Sequence, residues 1–332
     1  MSVEKIISDF KKKSFRPVYW LEGEEDYFID QVIDYAEHHI LSESEASFNL
    51  SVFYGKDANW ADVTNACMRY PMFAERQVVV LKEAQQMRDV EKLEPYVENP
   101  LASTIFVVSY KEKKVDGRTK FAKLLKEKGE FFSTKKMYDN QLPNWTNDFV
   151  QGKGFSIQPK ALHLLVEHIG NDLSRIVNEI DKVLINLGKR KEITEDDIEN
   201  YVGISKEYNV FEFQSAIIKK DLSKAIQIIQ YFEGNPKAAP IQQVLPVLYN
   251  FFSKLYMVYG LPSNDDKTIA SALGVNPFFV KDYKTAALNY DFLAVQKTLL
   301  LLHQYNLRSV GVNDTGTSDA SLLKELVFKT VH

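Results

Sequence analysis

Few residues of this chain have the types and spacing that chemistry needs. The first place to look is the turn formed by Glu22, Gly23, Glu24, Glu25 and Asp26, which follows an apolar stretch and precedes a helical stripe. A phosphate-binding loop at such a turn takes glycines that bare backbone N–H groups, a lysine for the β/γ oxygens and a Ser or Thr for magnesium. Gly23 stands alone, no Gly-Lys-Ser/Thr follows it, and four carboxylates line the turn where a triphosphate would lie. An Asp-Glu pair that could hold magnesium after the apolar run 78–81 is missing too. Lys82 and Glu83 stand there, and a charged lysine cannot ligate a cation. The histidines, at 38, 39, 163, 168, 303 and 332, offer no ligand pair. His163 and His168 are five apart on a helical segment and point different ways, so both read as surface residues. Cys67, the only cysteine, lies on a helical stripe and reads as a small buried hydrophobe. Gly152 and Gly154 are too short a pattern for a phosphate loop. No carboxylate set stands out among the 45 acidic residues. The expectation is a chain with no catalytic site, no cofactor and no metal.

Two features remain. The segment 110–128 carries Lys111, Lys113, Lys114, Arg118, Lys120, Lys123, Lys126 and Lys128 against three acids. Its plain reading is a solvated helix face. Its functional reading is a local basic strip along a phosphate backbone, since such contacts need only positive charge on one side. The other feature is Met72 and Phe73, side by side after Pro71 and before Glu75 and Arg76. An apolar pair in a loop commonly folds onto its own core. Here the proline and the flanking charges argue for a presented tip, and Met with Phe suits an anchor in a partner's pocket.

The elements that must position these residues are of two kinds. Up to about residue 140, strands at 17–23, 49–55, 77–84, 103–110 and 129–136 alternate with helices at 26–41, 60–70, 90–99 and 119–128. The pattern predicts a parallel sheet with helices on both faces. Pro71 disfavours helix at Tyr70 and ends the helix before the tip. The basic segment starts where the fourth strand ends, the edge of a parallel sheet where ligands usually sit. From residue 140 onward strand signals stop and helix follows helix. Thr194 caps one of these helices with Asp197 three residues on. A second boundary falls near 203–210. The expected class is α/β plus all-α, in three domains: 1–140 α/β, 141–208 small helical and 209–332 larger helical.

The totals exclude some functions. The chain has 332 residues, 45% hydrophobic and 26% charged, and a net charge of −4, so any nucleic-acid contact must be a local patch. One cysteine excludes an internal disulfide and a multi-cysteine zinc module. No apolar stretch suits a signal peptide or a membrane span, which makes the glycosylation-like matches at Asn49, Asn144 and Asn313 chance and points to the cytoplasm.

The segments "PVYWLEGEEDYFID", "YPMFAERQVVVLKEA", "FVVSYKEKKVDGRTKFAKLLKEKG", "GNDLSRIVNEIDKVLI", "ITEDDIENYVG" and "FEFQSAIIKKDLSKAIQIIQYF", in that order, resemble the delta subunits of the bacterial replicative clamp loader, the DNA polymerase III delta family. The likeness spans nearly the full length. It implies an AAA+-type, P-loop-NTPase-like domain that has lost its nucleotide site (1–140), a helical lid (141–208) and a helical collar for oligomerisation (209–332). It also implies that the pair at Met72 and Phe73, with Pro71, Ala74 and Arg76 beside it, inserts into a hydrophobic pocket of the sliding clamp (the beta subunit) and helps to open it. Leu-Phe is common at this place, so Met72 is a mild departure that keeps volume and apolarity. Asn306 and Val310 stand where relatives often carry Asp and Lys, so no ion pair is carried over there. The implied partners are the motor subunits (gamma/tau), delta-prime and, through the complex, primer–template DNA touched by Lys111, Lys113, Lys114, Arg118 and Lys120. The implied assembly is a DNA-directed DNA polymerase, a nucleotidyltransferase, with this chain itself non-catalytic.

Three rivals stand beside that reading. A delta-prime subunit would bring a four-cysteine zinc module, which one cysteine excludes. A divergent AAA+ ATPase would bind nucleotide through an irregular loop. A helical scaffold unrelated to replication would bury Met72 and Phe73.

Overall fold

The computed structural model describes residues 2–205, 207–236, 239–314 and 316–332. Two compact units meet in sequence between Tyr138 and Asp139.

In the first unit the order is α1 (Val3–Lys11), β1 (Val18–Gly23), α2 (Asp26–His39), α3 (Glu43–Asn49), β2 (Leu50–Tyr54), α4 (Trp60–Cys67), β3 (Gln77–Lys82), α5 (Glu94–Glu98), β4 (Thr104–Lys111), α6 (Lys120–Lys128) and β5 (Glu130–Thr134). The five strands form one sheet in the order β2-β3-β4-β1-β5, and every neighbouring pair is parallel. Parallel neighbours need crossovers, which is why helices separate the strands. Alternate residues of the inner strands serve opposite faces. Tyr19, Leu21, Val78, Val80, Ile105 and Val107 pack with Val3, Ile6 and Phe10 of α1 and Ile29, Val32 and Ile33 of α2. Val18, Trp20, Val79, Leu81, Phe106 and Val108 pack with Val63 and Cys67 of α4, Tyr96 and Val97 of α5, and Phe121 and Leu125 of α6. Both faces are covered, so the inner strands read as unbroken apolar runs.

Two helices of this unit escape the sequence pattern. The first, α1, is nine residues long, with Val3, Ile6 and Phe10 on its buried side. The second, α3, is seven residues long and mostly polar. It forms because Ser42 and Glu45 make a reciprocal capping box at its start.

The second unit holds α7 (Leu142–Gly152), β6 (Ser156–Ile157), α8 (Pro159–Ile169), α9 (Leu173–Asn186), β7 (Glu192–Ile193), α10 (Glu195–Asp197), α11 (Val210–Ile218), α12 (Leu222–Gly234), α13 (Ile241–Val258), α14 (Asp266–Leu273), α15 (Val280–Asn289), α16 (Phe292–Ser309) and α17 (Asp319–Val331). The expectation of helices alone after residue 140 needs correction. Strands β6 and β7 pair in parallel, with Ile157 and Ile193 opposite each other and buried. Two residues are too few to show a period of two. Thr194 and Asp197 form the expected capping box, and Arg190 adds a two-pronged ion pair to Asp197 at 2.6 and 3.0 Å. The sequence-based boundary near 208 falls inside this unit, where the His163 ring of α8 lies 4.2 Å from the Phe211 ring of α11 and 4.7 Å from that of Phe279. His163 and His168 are therefore half-buried, not surface residues. Burial and the nearby Lys254 charge push the His163 pKa down to about 4.

Candidate functional site

The tip at Met72 and Phe73 lies on a connection whose two ends are held by a side chain that the sequence reading passed over. Gln77, at the start of β3, is 6% exposed. Its amide nitrogen donates to the Ala66, Cys67 and Arg69 carbonyls at 3.1, 3.3 and 2.6 Å, and to Thr104 Oγ1 at 2.8 Å. Thr104 Oγ1 in turn donates to the Cys67 carbonyl at 2.8 Å. Carbonyls at a helix end have no partner within the helix, so this buried amide both closes α4 and fastens it to β3. Cys67 itself is fully buried, as expected, and burial pushes its thiol pKa up.

Between these ties the chain runs outward as neither helix nor strand. Asn49, at the end of α3, is 3% exposed and grips Met72 by its backbone. Its Oδ1 accepts from the Met72 N–H at 2.6 Å, and its Nδ2 donates to the Met72 carbonyl at 2.9 Å. Beyond that grip Phe73 takes a left-handed conformation, φ 54°, which a bulky side chain rarely adopts. Its ring is 95% exposed and Met72 is 55% exposed. The scaffold reading required both in the core, and they are not there. Pro71 and Ala74 are half-buried beside them. Arg76 is folded back: Nη1 donates to the Ala102 carbonyl at 3.1 Å and the guanidinium lies 5.3 Å from the Phe15 ring centre. Exposed Phe48, Met68 and Tyr70 belong to the same stretches of chain.

Half of the basic segment is tied up: Lys111, Arg118, Lys120 and Lys128 are paired, while exposed Lys113, Lys114, Lys123 and Lys126 have no ion-pair partner among the described residues. Lys111 pairs with Asp30 at 2.7 Å, Arg118 with Asp116 at 2.6 Å, and Lys120 with Glu94 at 2.9 Å and Glu98 at 3.5 Å.

The nucleotide corner differs from the sequence reading in one respect. Of the four carboxylates of the turn, Glu24 is the exposed one. Glu22 and Glu25 are 3% and 2% exposed. Glu22 accepts from the Trp20 indole at 3.1 Å and the Val115 N–H at 3.0 Å, and Glu25 lies 3.6 Å from Lys136. Burial holds the Glu25 carboxyl above the usual range against the opposing pull of Lys136. The turn is closed by packing rather than lined with outward charge. Gly23 has φ 127° and lies so close to β5 that a Cβ would sit 2.2 Å from the Thr134 carbonyl oxygen. Lys82, the last residue of β3, is engaged by Glu37 at 2.8 Å. Among the described residues no three His, Cys, Asp or Glu side chains are grouped to hold a metal, and no helix is long and apolar enough to cross a membrane.

A cleft of about 400 Å³ in the second unit is lined by Lys160, His163, Phe211, Lys219, Phe278 and Lys281 among others. Its charges offset one another, since Glu195, Glu212 and Asp282 face it too and Lys160 lies 3.8 Å from both glutamates.

Comparison with known proteins bears on these observations. The family described as "DNA polymerase III, delta subunit" matches residues 19–135, which contain the tip and the basic segment. The DNA polymerase III subunit delta of Bacillus subtilis is 27% identical over 95% of this chain and 93% of its own length. A probable DNA polymerase III subunit delta of Aquifex aeolicus is 22% identical over 82% of this chain and 79% of its own. The solved Bacillus subtilis DNA clamp loader delta protein superposes with a TM-score of 0.54 at 25% identity, over 99% of both chains. With a parallel sheet flanked by helices and a helical second unit, the chain is similar along nearly its full length to the DNA polymerase III delta subunits of the bacterial clamp loader, and its residues 19–135 match that family.

Proposed function

We propose that this chain grips a sliding clamp through Met72 and Phe73 and favours the clamp's opened form during loading on primed DNA, without hydrolysing ATP itself. The observation that supports this most strongly is Phe73, 95% exposed on a loop whose stem is tied down by Gln77 and Asn49. A large aromatic ring held in water at a fixed place suits an anchor that is buried in a partner's pocket. Pro71 and Ala74 flank the anchor, and Arg76 holds its base to the domain. Because a ligand shifts an equilibrium only through differential affinity, the chain must bind the opened clamp better than the closed one. In this reading residues 1–140 carry the grip, 141–208 are the lid and 209–332 the collar shared with the motor subunits and delta-prime in the cytoplasm. Lys113 and Lys114 are the side chains best placed to reach primer–template DNA, because Lys111, Arg118 and Lys120 are neutralised by neighbours.

The ATPase reading is disfavoured by the turn itself, where the Glu25 N–H already donates to Thr134 Oγ1 at 3.1 Å and the buried carboxylates of Glu22 and Glu25 stand where a triphosphate would lie. One experiment weighs both readings: titration of the intact chain with the sliding clamp of its own organism, and in parallel with ATP and magnesium. The expected result is saturable clamp binding and no nucleotide binding. A folded chain that ignores the clamp, or that binds ATP, overturns the proposal.

A further inference from the structure

We infer that Asn49 is a positioning residue for the tip, locking the Met72 backbone so that Phe73 is presented in its left-handed conformation before any partner arrives. The inference rests on the clamp-binding reading of Met72 and Phe73. Asn49 supplies one acceptor and one donor to the two backbone groups of the same residue, much as a neighbouring strand would. A second N–H of the same amide donates to the Glu45 carbonyl of α3 at 3.0 Å, which sets the orientation of the side chain from its own helix. That helix is held at its start by the Ser42 and Glu45 capping box. Among the described residues, the backbone of Phe73, Ala74 and Glu75 makes no hydrogen bond, so the tie at Met72 is what governs the chain's direction into the tip.

An untied loop would spend most of its time with Phe73 at negative φ, where its side chain points elsewhere. Binding would then draw on a small competent fraction, and apparent affinity would fall by that fraction. Neither an aspartate nor an alanine can replace the asparagine. Aspartate keeps the acceptor for the Met72 N–H but cannot donate to the Met72 and Glu45 carbonyls, and alanine does neither.

The test uses the intact chain and its organism's sliding clamp in stopped-flow or surface-binding kinetics. Wild type, Asn49→Ala, Asn49→Asp and Phe73→Ala are compared, with melting curves and amide hydrogen exchange of the segment holding Met72. Loss of the lock is expected to slow association about tenfold in Asn49→Ala, with dissociation nearly unchanged, and to speed Met72 exchange in the free chain by a similar factor. Asn49→Asp is expected to fall between wild type and alanine, and it carries the test if the alanine variant does not fold. Phe73→Ala should instead speed dissociation. Unchanged association in both folded Asn49 variants, while Phe73→Ala loses binding, overturns the inference and leaves the clamp reading standing. Wild-type binding by Phe73→Ala overturns the clamp reading and this inference with it.

Discussion

Truncating Phe73 to alanine is expected to leave the fold as stable as before while removing most of the affinity for a sliding clamp. The ring is 95% exposed in the free chain, so its removal takes almost no apolar area out of the core. Alanine in a left-handed conformation is strained about as much as phenylalanine, so the backbone contribution barely changes. The stability change should stay within about 0.5 kcal/mol, the usual range for a surface substitution. Had the ring been buried, the same change would cost roughly 3–5 kcal/mol. On binding, transfer of a phenylalanine side chain out of water contributes about 1.5–3 kcal/mol, and a central anchor contributes more through packing. A loss of about 2–4 kcal/mol in affinity follows, or roughly 30- to 700-fold in Kd. Calorimetric titration against the clamp and denaturant melts of the free chain measure the two quantities separately. A stability loss above about 2 kcal/mol would place the ring in the core. Unchanged affinity would place the grip elsewhere. Either outcome refutes the reasoning.

Three further outcomes follow from the same geometry. Gly23→Ala should destabilise the first unit by about 3 kcal/mol or more, because its Cβ would meet the Thr134 carbonyl at 2.2 Å and its φ of 127° suits glycine only; a thermal melt close to wild type would show that β1 and β5 are not so closely packed. His163 has its pKa lowered to about 4, so the unfolded chain binds more protons than the folded one between about pH 6.5 and 4. Stability should therefore fall as pH drops through that window, by up to about 3 kcal/mol, and a His163→Phe variant should lose that part of the pH dependence in denaturant melts. Charge reversal of Lys113 and Lys114 in the assembled loader should weaken binding to primed DNA and lower the slope of log affinity against log salt by about 2. Reversal of Lys120, already paired with Glu94 and Glu98, should change that slope far less.

The parts of the candidate site differ in how far the chain's order of residues reveals them. Pro71 between a helical stripe and a strand was enough to place Met72 and Phe73 on a loop, while their exposure, only argued for by the flanking charges, was decided by the structure. The grip of Asn49 joins residues 23 apart, and neither its type nor its neighbours mark it. Within α3 the hydrophobic pattern even misleads, since Phe48 is 68% exposed and Asn49 is buried. Charge runs mislead in the same way: Lys111 finds Asp30 from 81 residues away, and only the folded sheet brings them together.

By itself the sequence determined the parallel α/β unit, the helices after it and the loop that carries the apolar pair. Those features follow from local periodicity, prolines and apolar runs longer than a turn. Only the tertiary structure decided which lysines remain free, that the glycine turn is closed by buried carboxylates, and that a single amide aims the tip. Hydrogen bonds and ion pairs between distant residues form at one relative placement of the elements, and that placement comes from packing on both faces of the sheet.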